Sequence, residues 1–151
     1  LSAEKEQFRL RMQTMVQQRD GLTFIPPMKA GQNLLTVTGD EWLSLLQKIV
    51  RLGKYKYVVL DLSESMQGLF DILRMCDRVY TLTAEDKVAR CKLQQYEQAL
   101  KIYEYDDVLA KTRKCMLPKF RRVPEELLQY SRGDLAAYVE RELAGWQEEL
   151  K

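Results

Sequence analysis

Asp61 is the residue best placed to do chemistry, because it follows a run of apolar, β-forming residues, Tyr57-Val-Val-Leu60. A carboxylate at the carboxyl end of a buried strand can hold a magnesium ion on a bound triphosphate. The same position also suits a carboxylate that caps the turn before the next helix. The pattern alone favours the capping role and leaves the magnesium role open as the alternative.

The residue inventory removes several other kinds of site. The chain contains no histidine, so the commonest general base at neutral pH and the commonest transition-metal ligand are both missing. Its cysteines, Cys76, Cys91 and Cys115, form no CxxC pair and cannot complete a four-ligand zinc site without histidine. We expect them to be small hydrophobic residues in a reducing compartment, the cytoplasm.

The elements that must position Asp61 alternate between strands and helices. Strands are predicted over residues 22–25, 57–62, 78–83 and 114–117, and helices over 2–20, 38–53, 65–76, 83–103, 106–113, 124–130 and 133–150. Residues 57–62 are apolar on both faces, which is typical of a strand inside a parallel sheet. The sequence therefore predicts a single α/β domain over residues 1–151, with a mostly parallel sheet flanked by helices on both faces.

Three consecutive stretches, residues 56–65, 68–77 and 78–83, resemble the middle of the MinD/ParA-type P-loop ATPases. Within that group they are most similar to the CpaE-like branch. Phe24-Ile-Pro-Pro27 resembles a preceding strand of the same family, and Cys115-Met-Leu-Pro118 a late one, so the similarity extends over about residues 20–145. It implies a truncated P-loop NTPase-like fold, the C-terminal portion of a longer ATPase-like protein.

The resemblance also implies roles for individual residues. By position, Asp61 is the Walker B-like carboxylate that holds magnesium through water. Ser63 and Glu64 lie in the loop that senses the γ-phosphate, and Thr83 lies beside that loop. The residues expected near the base are Leu117, Pro118 and Lys119. An intact family member is expected to bind ATP and magnesium.

The glycines of this chain depart from that family pattern. None of the seven belongs to a GxxxxGK[ST] motif, the loop whose backbone N–H groups cradle a triphosphate. We therefore expect this stretch alone to hold no cofactor and to hydrolyse nothing, while the first residue, Leu1, leaves a phosphate loop upstream possible. Two functions follow: a non-catalytic part of an ATPase that positions pilus, septum or secretion machinery, or a degenerate ATPase-like module that binds a protein.

A phosphoacceptor receiver domain is a third and less favoured interpretation. Asp61, Thr83 and the Pro118-Lys119 pair imitate the residues that end the strands of a receiver. A receiver also needs an acidic pair after its first strand to bind magnesium, and here Pro26-Pro27-Met28 occupies that place.

Charge patterning bears on the partners. Six cations and no acid lie between Lys111 and Arg122, which allows contact with the phosphates of DNA, although a solvated loop is the favoured explanation. The final helix has an apolar face, but its polar face is acidic and would be repelled by anionic lipid. We therefore expect a protein partner or a homodimer and do not favour a membrane.

Overall fold

The computed structural model of this chain describes residues 2–27, 36–116 and 130–144. In chain order the elements are α1 (Ser2–Met15), β1 (Gln17–Arg19), β2 (Leu22–Phe24), α2 (Gly39–Leu52), α3 (Leu69–Met75), β3 (Val79–Thr83), α4 (Lys87–Ile102), α5 (Asp106–Ala110), β4 (Thr112–Met116) and α6 (Asp134–Leu143). None of the helices in these ranges is long and apolar enough to cross a membrane.

The chain divides into two compact units. The first consists of Leu1–Gln17 and Phe24–Met116, and the second of Gln18–Thr23 and Leu117–Lys151. Of the predicted site residues, Asp61, Ser63, Glu64 and Thr83 belong to the first unit. In the second unit, the structure describes the tip of the β1–β2 hairpin, residues 130–133, helix α6 and Ala144.

The predicted sheet architecture is wrong. In place of one extensive parallel sheet between two layers of helices, the described residues form two separate sheets of two strands each. The run from Tyr57 to Leu62 belongs to neither sheet. Leu60 and Leu62 are half-buried and pack against the hydrophobic core, whereas residues 57–59 are exposed, so this run does not have the two covered faces of an interior strand.

The β3–β4 pair retains the parallel pairing that the sequence predicts. Val79 is opposite Thr112, and Thr83 is opposite Met116. Because side chains alternate across a strand, Thr81, Thr83 and their partners Lys114 and Met116 share one face. The Lys114 ammonium on this face pairs with Glu97 of α4, so α4 lies over it.

Two hydrophobic clusters form the core of the first unit. One contains Met12, Leu46, Ile49 and Ile72, which come from α1, α2 and α3. The other contains Leu73, Val79, Leu100 and Val108, which come from α3, β3, α4 and α5. Because Ile72 and Leu73 are neighbours on α3, this short helix packs against both clusters.

The helix predicted over residues 2–20 ends earlier, at Met15, and a tight hairpin follows it. Asp20 and Gly21 form the two-residue turn between β1 and β2, and both have a positive φ, +51° and +82°. A turn with two positive φ angles matches the right-handed twist of a hairpin, and Asp-Gly is one of the dipeptides that favour it. Gly21 therefore turns the chain between two strands and does not terminate the helix.

The start of α2 confirms the predicted capping box. The Thr38 hydroxyl accepts a hydrogen bond from the backbone N–H of Glu41, and the Glu41 carboxylate accepts one from the backbone N–H of Thr38. Both bonds satisfy backbone donors that the helix itself leaves unpaired. The Glu41 carboxylate also accepts a hydrogen bond from the Thr38 hydroxyl. The two bonds that this carboxylate accepts, from the backbone N–H first and from the hydroxyl second, lower the pKa of the Glu41 carboxyl because they stabilise its charged form.

Candidate functional site

Asp61 lies in an irregular segment and is exposed, between the half-buried side chains of Leu60 and Leu62. The chain turns directly after it, where the backbone N–H of Met66 donates to the carbonyl of Ser63 over 3.3 Å. Since no strand ends at Asp61, the position on which its predicted magnesium role was based is absent. The role itself stays a prediction.

Ser63 and Glu64, the other predicted phosphate-loop residues, make only surface contacts. The Ser63 hydroxyl lies 3.0 Å from that of Ser65, and a Glu64 carboxylate oxygen lies 4.0 Å from the Lys92 ammonium with both side chains strongly exposed. Within the described ranges, no three aspartate, glutamate or cysteine side chains gather as metal ligands.

Thr83 lies where the sequence predicts a ligand site, at the carboxyl end of a parallel strand. It borders an open cleft of about 480 Å³ between the ends of β3 and β4 and the first turns of α4. The residues that line the cleft are Thr83, Ala84, Glu85, Arg90, Leu93, Lys114 and Met116. Its volume falls within the range of small-molecule sites, roughly 300–1,000 Å³.

The cations of this cleft are already used within the protein. Arg90 donates to the backbone carbonyl of Glu85 over 3.0 Å, and the Lys114 ammonium lies 2.5 Å from the Glu97 carboxylate. Asp86 caps α4 by accepting from the N–H of Ala89. Acids and bases thus alternate around the cleft, which gives it no strong preference for an anion or a cation.

The remaining predicted site residues, Leu117, Pro118 and Lys119, lie outside the described residues. Of the basic cluster between Lys111 and Arg122, the structure shows how Lys111 is used. Its ammonium donates to the backbone carbonyls of Arg74 and Cys76, each over 2.6 Å, and so joins the end of α3 to the start of β4. With Lys114 paired to Glu97, two cations of this cluster support the fold.

A scan of protein-family models and searches of curated proteins and solved structures found no match for this chain. No other family therefore replaces the resemblance to MinD/ParA-type ATPases, which stays a prediction.

The sequence interpretation missed an exposed segment, residues 54–59, which follows α2 and has the sequence Lys-Tyr-Lys-Tyr-Val-Val. All six residues are exposed, and Val59 is 87% exposed. The Lys56 ammonium lies 5.3 Å from the centre of the Tyr57 ring, within the range of a cation–π contact. The alternation of lysine and tyrosine was the available signal, but the valines that follow suggested a buried strand.

A polar network holds α3 against α5. The Arg74 guanidinium donates to both carboxylate oxygens of Asp107 over 2.9–3.1 Å and lies 4.0 Å from the centre of the Tyr105 ring. The Tyr105 hydroxyl donates to Asp71 over 2.7 Å. The hydrogen bonds from Arg74 lower the pKa of Asp107, and the hydrogen bond to Asp71 raises the pKa of Tyr105.

Proposed function

We propose that this chain is a non-catalytic, cytoplasmic module that binds a protein partner through residues 54–59. The observation that carries the proposal is the continuous exposure of Tyr55, Tyr57, Val58 and Val59 directly beside the core-packed Leu60. Isolated exposed apolar residues are ordinary on protein surfaces, whereas several together are typical of an interaction site.

The free energy gained by covering these exposed side chains is sufficient for specific recognition. Covering one valine side chain contributes about 1.5 kcal/mol, which corresponds to roughly tenfold in affinity. Tyrosine is enriched among the residues that dominate interface energies, since its ring offers a large apolar area and its hydroxyl a hydrogen bond. Two tyrosines and two valines in one short segment therefore supply a compact contact.

A binding role is favoured over an ATPase role by the positions of Asp61, the predicted catalytic residue, and of Ser63 and Glu64, which were predicted to bind the nucleotide. Asp61 is exposed in an irregular segment, and Ser63 and Glu64 are occupied by surface contacts. The sequence also offers no glycine-rich loop to hold a triphosphate. Catalysis requires groups fixed in a productive geometry, and none of these three residues lines the cleft at Thr83.

Site-specific photo-crosslinking in cells that make the protein tests this proposal. A photoreactive residue at Val59 is expected to capture a defined protein, either a second copy of the chain or another polypeptide. The matched position is Val88 on α4, which has the same side chain and is also exposed, and which is expected not to capture that protein.

The captured protein is then purified and its affinity measured by calorimetry. Val59→Lys should weaken binding about tenfold or more, because it places a charge in an apolar contact, whereas Val88→Lys should leave the affinity unchanged. Equal effects of the two substitutions, or equal capture at both positions, would show that residues 54–59 are not the binding surface.

A further inference from the structure

We infer that the partner presents an acidic segment, in which carboxylates alternate with apolar residues, to residues 54–59. The inference rests on the proposed function and adds the chemical class of the partner. It follows from the charges that accompany the exposed apolar side chains.

The charges of the two lysines in the segment are not balanced by acids nearby in the sequence. Between Val50 and Leu60 the chain carries Arg51, Lys54 and Lys56 and no acidic residue. Arg51 forms an exposed pair with Glu4 over 3.3 Å. Neither of the two lysines forms an ion pair within the described part of the chain.

The lysines and the apolar groups occupy one short stretch, so one partner segment meets both. The two lysines alternate with Tyr55 and Tyr57, and the Lys56 ammonium lies 5.3 Å from the centre of the Tyr57 ring. Carboxylates from the partner would complement the ammonium groups, and apolar residues between them would cover the rings and valines. Charge complementarity of this kind fixes register and speeds association.

Single-stranded nucleic acid is the competing ligand for a lysine–tyrosine alternation, because bases stack on aromatic rings and phosphates attract lysine. The two valines of the segment favour a protein partner over nucleic acid. Val58 and Val59 offer no flat aromatic surface for a base, and Val59 is the most exposed large apolar residue of the described ranges. An apolar side chain of a protein covers them better.

Fluorescence anisotropy with three labelled probes tests the inference. The probes are a peptide of about ten residues that alternates glutamate and valine, its lysine–valine counterpart, and an oligothymidylate of about the same length. Each is long enough to span the segment, which extends over at most about 20 Å. We expect the glutamate peptide to bind with a saturable curve and the lysine peptide not to bind. Raising the salt should weaken binding, since exposed charges are screened.

Two double variants of equal net charge separate a local effect from a global one. Lys54→Glu with Lys56→Glu and Lys87→Glu with Lys101→Glu both change the formal charge from +2 to −2. The first should weaken binding of the glutamate peptide at least about tenfold, and the second should weaken it by less than about threefold, because screening limits distant charges. Circular dichroism establishes that both variants are folded.

Three results would overturn the inference: no saturable binding of the glutamate peptide, equal weakening by the two double variants, or tighter binding of oligothymidylate that is lost with Lys54 and Lys56. If the photo-crosslinked partner still binds through Val59 in any of these cases, the proposed function stands and only the acidic partner class is wrong. If the photo-crosslinked partner also does not bind through Val59, both proposals are wrong.

Discussion

Gly39 and Gly68 touch backbone to backbone, at the points where α2 and α3 begin. A Cβ atom on Gly68 would lie 2.6 Å from the Cα of Gly39, and one on Gly39 would lie 2.9 Å from the Cα of Gly68. Gly68 also has a φ of +70°, in the left-handed region. The approach of the two helices therefore depends on the absence of side chains at both positions.

Gly68→Ala is expected to destabilise the protein by more than about 2 kcal/mol. The left-handed conformation costs an L-residue about 1–2 kcal/mol, and the contact with backbone adds to it. Gly21→Ala is the matched control, since its φ is +82° but nothing lies within 4 Å of the added Cβ. Chemical denaturation measures both variants, and equal losses would show that the contact with Gly39 contributes nothing.

Leu100→Ala should cost about 2–5 kcal/mol of unfolding free energy, because this fully buried side chain leaves a cavity in the second hydrophobic cluster. Ile102→Ala, two residues further along the same helix, removes a side chain that is 74% exposed. That control should change the unfolding free energy by less than about 0.5 kcal/mol. A loss for Ile102→Ala as large as for Leu100→Ala would contradict the described orientation of α4.

Asp107→Asn should lower the melting temperature at neutral pH but not in acid. Arg74 depresses the pKa of the folded Asp107 carboxyl, so the stabilisation is present above the ordinary pKa of 3.8 and is lost as the pH falls through the depressed value. The measurement is the melting temperature of both proteins from neutral pH down to acid. Asp106→Asn, the adjacent substitution, leaves the hydrogen bonds between Arg74 and Asp107 in place and should not reproduce the loss at neutral pH. A pH-independent difference for Asp107→Asn would refute the linkage.

The three thiols should react with a disulfide reagent in the order Cys91, Cys76, Cys115 under native conditions. Cys91 is exposed, Cys76 is half-buried, and Cys115 is 3% exposed. Burial raises the pKa of the Cys76 thiol, which lowers the fraction of the reactive thiolate. A time course of thiol release measures the order, and Cys91→Ser should remove the fastest phase. Loss of that phase in Cys115→Ser instead would place Cys115 at the surface.

Asp61→Asn should change neither the melting temperature nor the binding of a fluorescent ATP analogue. The residue is exposed in an irregular segment, so neutralising it breaks no described contact. We also expect the chain to show no ATPase activity. A dissociation constant on the order of micromolar for ATP, lost on Asp61→Asn, would restore the magnesium role that the family resemblance implies.

Features encoded by neighbouring residues were predictable from the sequence. Thr38 and Glu41 form the expected box because both hydrogen bonds lie within one helical turn. Gly53 ends α2 as expected, with its N–H on the carbonyl of Ile49. The β3 and β4 strands were also correctly located within two residues, and β3, Val-Tyr-Thr-Leu-Thr, is rich in the β-branched and aromatic residues that favour strands.

Features that depend on distant neighbours were not predictable in the same way. A run such as Tyr57-Val-Val-Leu60 becomes a strand only if another strand pairs with it. The sequence of the run itself does not indicate whether such a partner exists. The wrong strand prediction for this run therefore also misplaced Asp61 at its end and the exposed residues before it. The Asp20-Gly21 turn, by contrast, was a local signal that the sequence interpretation assigned to the wrong element.

Because β3 and β4 are parallel, they can pair only when the chain between them folds back to the start of the sheet. Residues 84–111 must turn back through α4 and α5 before the first hydrogen bond of this ladder can close, whereas the β1–β2 hairpin needs two residues. A cut in the turn between α4 and α5 would leave one strand on each peptide. The two peptides could then form the β3–β4 ladder only by associating. This turn is therefore a suitable site at which to split the protein, and reassembly of the two parts would report on folding.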